Sequence, residues 1–177
     1  MSEPHACRLF VRLPAGPALD RALDSALSDP DVASLLLPAG LQADDVGRAA
    51  VRRIQAAEHP ALVIDDLDLR AALQADGVHL TDPSAIRAAR ANLGHGLVVG
   101  AECPLERHAC MVAAEDGADY VAVRVTADSL EAAEELLAWW HEMMTIPIVA
   151  FADLPEAAAY KLRLYADFLS PSVADAR

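Results

Sequence analysis

Acidic side chains stand at the ends of several apolar segments of the sequence. Asp65 and Asp66 end one such segment, Asp82 follows another, Glu102 lies near the end of a third, and Asp153 closes a fourth. Carboxylates that meet at one place can hold Mg²⁺ through their oxygens or accept protons. Asp82 and Asp153 stand close to prolines, where an aspartate is also a good helix cap, so we expect capping for these two and leave both roles open for the Asp65–Asp66 pair.

Two arginines lie inside apolar stretches, where an unpaired cation is costly. Arg12 ends the first stretch and Arg124 lies in the segment before Thr126. Either guanidinium group could bind an anionic ligand in a bidentate manner, or it could pair with a neighbouring carboxylate. The patterning favours the structural ion pair.

One histidine and three cysteines complete the set of reactive side chains. His79 alternates with apolar neighbours, which is more typical of a satisfied core residue than of a catalyst, although its pKa suits proton transfer. Cys103 has no base beside it in sequence, so a nucleophilic role is not predicted. Cys7, Cys103 and Cys110 are odd in number and lack metal-binding spacing, which predicts reduced thiols.

The elements that must position these residues are eight short apolar runs separated by segments of helical period. The predicted strands cover residues 8–13, 32–38, 61–66, 77–81, 97–103, 120–125, 147–153 and 166–172. Runs that are apolar throughout are typical of parallel strands covered on both faces. This alternation predicts a single-domain (β/α)8 TIM barrel over residues 1–177, with a flavodoxin-like open sheet as the alternative.

In a barrel, functional side chains gather at the carboxyl ends of the strands. We therefore predict one pocket lined by these side chains: Arg12, Asp65, His79, Glu102, Arg124 and Asp153. Only residues 173–177 follow the last strand, which predicts a truncated eighth helix and an uncovered side of the barrel. A homo-oligomer is the expected cover, through that side or through the Trp- and Met-bearing segment 139–144.

Composition excludes several classes of partner. The chain carries a formal net charge of −13 over 177 residues, with 54% hydrophobic residues. So acidic a protein is not expected to bind nucleic acid or an anionic membrane surface. No apolar run is long enough to span a bilayer, and residues 1–7 lack signal-peptide features, which predicts a cytoplasmic protein.

Two segments resemble the thiamine phosphate synthase and thiazole tautomerase family. Residues 75–80 read Ala-Asp-Gly-Val-His-Leu, similar to that family's ADGVHLG, and residues 117–121 read Gly-Ala-Asp-Tyr-Val. The resemblance implies a barrel, a role in thiamine biosynthesis, a small phosphorylated metabolite as ligand, and Mg²⁺-dependent transfer of a hydroxymethylpyrimidine diphosphate to a thiazole phosphate. It implies that Asp66 is a magnesium ligand and that Asp82 replaces the family's second magnesium-binding aspartate.

The sequence departs from the family at other functional positions. The second strand lacks the substrate-holding QxRxK pattern, Ala152-Asp153 replaces Gly-Gly, and the loop after Arg124 lacks its threonines and lysine. Lys161 is the only lysine of the chain, and it lies in a predicted helix. The resemblance therefore implies a family member whose synthase activity is weakened or lost, or else a non-catalytic binding or structural paralogue.

Overall fold

The strands form a closed parallel barrel. In the computed structural model, which describes residues 6–171, each strand pairs with its sequence neighbours, and β1 pairs with β8 through Leu9 and Leu169. The strands are β1 Arg8–Arg12, β2 Val32–Leu36, β3 Ala61–Ile64, β4 Gly77–Leu80, β5 Val98–Cys103, β6 Tyr120–Val125, β7 Ile148–Ala152 and β8 Phe168–Pro171. The predicted TIM barrel is confirmed. The open sheet is excluded because β1 and β8, which would be separate strands of an open sheet, are paired with each other.

Helices cover the outside of the barrel. They are α1 Leu19–Leu27, α2 Asp45–Ala56, α3 Leu67–Leu73, α4 Ile86–Leu93, α5 Arg107–Glu115, α6 Leu130–Met143 and α7 Glu156–Ala159, and a 3-10 helix, Tyr160–Leu164, continues α7. The predicted truncation of the eighth helix concerns residues 173–177, which lie outside the described part of the chain. None of the helices in residues 6–171 combines the length and hydrophobicity that a bilayer span requires.

The core has two layers because side chains alternate along each strand. The outer layer packs strands against helices, with Leu35, Val121 and Leu137 fully buried there. The inner layer fills the barrel, and its aromatic members are Phe10, Tyr120 and Phe151. Side chains two positions further along each strand lie on the same inner face, closer to the carboxyl end of the barrel. The predicted pocket residues stand at that end.

Candidate binding site at the barrel mouth

Alternation along the strands brings four predicted residues to the barrel mouth. Arg12 ends β1, Glu102 lies in β5, Arg124 lies in β6, and Asp153 follows β7. Each stands two residues after an inward-facing position, namely Phe10, Gly100, Ala122 and Phe151. Consecutive inward positions therefore carry an apolar or small residue below and a charged residue above.

The four charged side chains form one chain of ion pairs. Glu102 accepts two hydrogen bonds from Arg124, to Oε1 from Nε at 2.9 Å and to Oε2 from Nη2 at 2.8 Å. Asp153 bridges the arginines, with Oδ2 2.7 Å from Arg124 Nη1 and Oδ1 2.9 Å from Arg12 Nη2. The structural pairing favoured for the two arginines is therefore what the fold provides, and both oxygens of Asp153 serve it.

Arg12 extends this network across the seam where the barrel closes. Its Nε donates to the Ser170 hydroxyl at 3.0 Å, and its Nη2 donates to the Pro171 carbonyl at 3.1 Å. Below the network, the Phe151 ring lies 4.9 Å from the Arg12 guanidinium carbon and 5.8 Å from that of Arg124. Such cation–π contacts hold the two guanidinium groups over the barrel core.

The network shifts the pKa values of two of its members, Asp153 and Arg124. Burial alone raises the pKa of Asp153, but hydrogen bonds from Arg12 and Arg124 outweigh it and hold that pKa below its usual value. The hydrogen bonds to Glu102 raise the pKa of Arg124 further. The network therefore favours the charged forms of Asp153 and Arg124, so Asp153 is not suited to act as a proton donor near neutral pH.

His79 lies beneath the network, inside the barrel. It is 1% exposed, and its Nδ1 lies 2.8 Å from the Tyr120 hydroxyl. Gly100 lies between the two residues in the sheet register, and a Cβ atom there would stand 1.9 Å from the Tyr120 ring. A glycine at this point lets the tyrosine ring cross the strand and reach the histidine.

The second ring nitrogen of His79 is buried and has no hydrogen-bond partner among residues 6–171. Burial lowers the pKa of His79 to about 4, against the raising effects of Glu102 and Asp65. Burial also raises the pKa of Tyr120 well above its usual value, so the hydroxyl keeps its proton. His79 is therefore neutral at physiological pH, and it stacks among Phe10, Tyr120 and Phe151 as part of the inner core.

Asp65 lies on the opposite side of the mouth and does not join the ion pairs. Its backbone φ is 46°, a left-handed conformation that aspartate tolerates better than most residues. Its carboxylate accepts hydrogen bonds from the Thr81 amide at 2.7 Å and from the Thr81 hydroxyl. The strand ends at Ile64, so Asp65 forms the turn that ties the end of β3 to the end of β4.

Asp66 and Asp82 cap helical segments. Asp66 accepts from the Leu69 amide at 2.7 Å at the start of α3, and Asp82 accepts from the Ser84 amide at 2.9 Å. Bonds from the Ser84 hydroxyl and amide lower the pKa of Asp82. Within residues 6–171, no three His, Cys, Asp or Glu side chains stand together as metal ligands, so the prediction of a magnesium site at Asp66 and Asp82 rests on the resemblance alone.

An open cavity of about 550 Å³ lies beside the network, between the ends of β4, β5 and β6. Its lining residues are Thr81, Asp82, Pro83, Glu102, Cys103, Pro104, Leu105 and Arg124. A second cavity of about 390 Å³ lies between the loops that follow β1 and β2, where Gly16 and Gly40 leave open space. The first cavity combines charged groups with apolar walls and can hold a small molecule.

Sequence reasoning missed three residues of this region. Tyr120, Phe151 and Ser170 contact the predicted residues directly. The alternation along β6 and β7 carries part of the signal, because Tyr120 lies four positions before Arg124 and Phe151 lies two before Asp153. No feature of the sequence pairs Ser170 with Arg12, since 158 residues separate them along the chain.

Comparison with known proteins identifies relatives over most of the chain. A family model described as thiamine monophosphate synthase matches residues 41–166. The thiamine-phosphate synthase of Rhodospirillum centenum is 36% identical, with 93% of this chain and 86% of that protein covered. The thiamine-phosphate synthase of Hyphomonas neptunium is also 36% identical, with 88% and 77% covered.

Solved structures share the fold at low sequence identity. Thiamine phosphate pyrophosphorylase from Pyrococcus furiosus superimposes with a TM-score of 0.75 at 19% identity, covering 94% of this chain and 86% of that one. Tryptophan synthase from M. tuberculosis gives a TM-score of 0.69 at 19% identity, covering 95% and 83%. At this identity the likeness establishes the barrel and no more.

Proposed function

The chain belongs to the thiamine monophosphate synthase family, and we propose that it is a divergent member whose synthase activity is weakened or lost while its mouth still takes a small molecule. The relatives named above carry the synthase name, so an ordinary synthase is the alternative that experiment must separate from this proposal. The distinction depends on how the mouth would receive a diphosphate group.

The observation that carries the proposal is that both mouth arginines are already paired. Arg124 gives three of its donor groups to Glu102 and Asp153, and Arg12 gives Nε and Nη2 to Ser170, Pro171 and Asp153. A diphosphate must displace these carboxylates or lie beside them. Two like charges about 4 Å apart repel by about 1 kcal/mol in water and by about 4 kcal/mol at the effective dielectric of a protein surface.

The departures from the family pattern also support a weakened or lost synthase activity. Lys161 is 70% exposed on the 3-10 helix and lies 3.9 Å from Glu134, on the outside of the barrel. Thr126 exchanges hydrogen bonds with Ser129 in the turn before α6, where the family has its threonine-rich loop. Asp153 stands where the family has glycine, whose open backbone amides favour anions.

A direct assay tests the loss of synthase activity. The purified protein is incubated with hydroxymethylpyrimidine diphosphate, the thiazole phosphate and Mg²⁺, with the Rhodospirillum centenum relative as a parallel control. Each lost positioning or electrostatic group costs about 10²–10³-fold in rate, so we expect turnover at least about 10²-fold below the control. Turnover equal to that of the control contradicts the proposal and identifies the chain as an ordinary synthase.

Ligand binding is tested by thermal melting, because a ligand that binds only the folded state raises the midpoint. The panel contains phosphorylated and unphosphorylated pyrimidines and thiazoles, each with and without Mg²⁺, since a small phosphorylated metabolite and the metal are both implied by the family. We expect unphosphorylated members to stabilise the protein more than their phosphate esters. A midpoint that no member raises contradicts the binding role and favours the structural paralogue.

We further propose that the protein works in the cytoplasm. All three cysteines, Cys7, Cys103 and Cys110, are free thiols, which suits a reducing compartment. Fractionation of cells that express the chain from its own promoter tests this location. Recovery in an oxidising compartment with a disulfide already formed would contradict it.

A further inference from the structure

The open cavity beside the ion-pair network is lined by two carboxylates and one guanidinium group. Glu102 and Asp82 supply the carboxylates, and Arg124 supplies the guanidinium group. Its volume of about 550 Å³ lies in the range of sites that hold small organic molecules. Apart from Thr81, the rest of the lining offers mainly apolar surface, from Pro83, Cys103, Pro104 and Leu105.

Few hydrogen-bond donors remain for a ligand in the part of this lining that the structure describes. Both donors of Thr81 go to the Asp65 carboxylate, the amide at 2.7 Å and the hydroxyl beside it. Pro83 and Pro104 have no backbone N–H group. Arg124 gives three of its five N–H groups to carboxylates. A ligand that presents only acceptors therefore finds little to bind.

Hydrogen-bond acceptors remain in the cavity, and they carry negative charge. A carboxylate has about four lone-pair sites on its two oxygens. Each oxygen of Glu102 accepts one bond from Arg124, at 2.9 and 2.8 Å, so each can accept another. Asp82 is exposed, and hydrogen bonds from Ser84 lower its pKa, so it is ionised at neutral pH. The cavity thus suits a ligand that brings donors.

The charges at this end of the barrel favour a cation. The ion-pair network balances two carboxylates against two guanidinium groups. Among residues 6–171, Asp65, Asp66 and Asp82 form no ion pair, so their negative charges are not balanced in this way. The side chain of Glu102 is only 22% exposed, and an attraction between charges is stronger where less water surrounds them.

We propose that the mouth cavity binds a small organic cation, such as an amine or an amidine carried on an apolar body, with Glu102 as its anchor. The N–H groups of the cation donate to Glu102, while its body lies against Pro83, Pro104 and Leu105. Hydrogen bonds between charged partners are about twice as strong as neutral ones. This inference rests on the proposed function, because it names the class of small molecule that the mouth takes.

Titration calorimetry of the full chain with three ring compounds tests the charge preference. Benzamidine, benzamide and benzoate share an apolar ring, and they are cationic, neutral and anionic at pH 7. We expect benzamidine to bind at least about ten-fold more tightly than benzamide, because a hydrogen bond to a charged group contributes more than a neutral one. Benzoate should give no measurable binding.

Three variants place the cation in the cavity. Glu102→Gln keeps the size of the side chain and removes its charge, so we expect benzamidine to bind at least about ten-fold more weakly. Asp82→Asn should weaken it by about two- to five-fold, because an exposed carboxylate attracts a cation less. Glu115→Gln is the matched control, since it removes the same charge from an exposed position at the end of α5, and it should bind as wild type does.

The outcomes separate this inference from the proposed function. Absence of benzamidine binding, equal binding of benzamide, tighter binding of benzoate, or unchanged benzamidine binding in Glu102→Gln overturns the inference. If Glu102→Gln fails to fold, the ligand series and Asp82→Asn decide, and unchanged binding in Asp82→Asn then overturns it. The synthase assay is a separate measurement without these ligands, and turnover equal to that of the relative overturns the proposed function instead.

Discussion

At the residue scale, the charged side chains at the barrel mouth are already paired with one another, and this pairing determines what the mouth can bind. Asp153 is the centre of the network because its two oxygens hold Arg12 and Arg124, which both lie close to the Phe151 ring. Within residues 6–171, Glu102 forms an ion pair with Arg124 alone. The capacity of the mouth to bind an anion therefore depends more on Asp153 than on any other single side chain.

Removing the charge of Asp153 should create an anion site. In Asp153→Asn the amide oxygen still accepts one hydrogen bond, but both arginines lose their shared counter-charge. We expect inorganic diphosphate to raise the melting midpoint of the variant and to leave the wild-type midpoint unchanged. Asp68→Asn, an exposed position on α3, is the control and should behave as wild type. Equal responses of Asp153→Asn and wild type would show that the paired arginines do not limit anion binding.

His79 should make stability depend on pH. Its pKa is about 4 in the folded protein and has its ordinary value of 6.5 in the unfolded chain, so between these values the unfolded chain binds more protons. The stabilisation is complete above pH about 6.5 and is lost as the pH falls toward about 4, by on the order of 3 kcal/mol. Urea titrations from pH 7 to 4 should show this slope in wild type and in His95→Gln, an exposed control, but not in His79→Gln. If the same pH dependence of stability persists in His79→Gln, it comes from other titrating groups and the prediction is wrong.

At the element scale, an Ala-Asp pair precedes three alternate strands and ties the amino end of the barrel. Asp76, Asp119 and Asp167 stand directly before β4, β6 and β8. Each carboxylate accepts from the amide that begins or lies next to the start of the preceding strand, at Ala61 (2.9 Å), Val99 (2.8 Å) and Ile148 (2.8 Å). In each case, an aspartate before an even-numbered strand accepts a hydrogen bond from a backbone amide at the amino end of the odd-numbered strand that precedes it.

Loss of one of these carboxylates should destabilise the whole barrel. Asp76→Ala leaves the amide of the buried Ala61 without its acceptor and removes one of the two acceptors of Gln55 Nε2, which keeps the Gln74 carbonyl. We expect a loss of about 1–3 kcal/mol in the free energy of unfolding, measured by urea denaturation at pH 7. Glu135→Ala, an exposed position within α6, is the control and should change stability by less than about 0.5 kcal/mol. Equal losses in the two variants would contradict the capping role.

At the scale of the whole molecule, exposed apolar side chains gather where the last helices meet. Met143 ends α6 and is 63% exposed, while Tyr160 and Leu164 on the contacting 3-10 helix are 69% and 61% exposed. Trp140 does not contribute to this surface, because it is buried and donates to the Ile146 carbonyl at 2.7 Å. The apolar surface near segment 139–144 is therefore formed by Met143 together with Tyr160 and Leu164 of the 3-10 helix.

This surface leads us to expect a homo-oligomer, since a second copy can cover the same side chains symmetrically. Light scattering at micromolar concentration should give a mass of at least twice 18.8 kDa for the wild type. Replacing Tyr160 and Leu164 by serine should shift the mass toward the monomer. Val46→Ser, which removes an exposed apolar side chain from α2, should not. A monomer mass for the wild-type protein would leave the surface without this role.

The sequence by itself determined the elements, because apolar runs and helical periods are local patterns. The eight strands lie within about two residues of their predicted positions at most ends, and alternation already placed Arg12, Glu102 and Arg124 near one end of the barrel. The motif around His79 also indicated the family. These features depend on residues that are close along the chain, so they can be recognised without the fold.

Only the tertiary structure decided which charges meet. Arg12 and Asp153 are 141 residues apart, and their contact exists because β8 closes the barrel beside β1. The same closure brings Ser170 to Arg12, while a glycine at position 100 lets Tyr120 reach His79. Pairing, burial and the resulting pKa shifts depend on distances across the barrel, which no local pattern encodes.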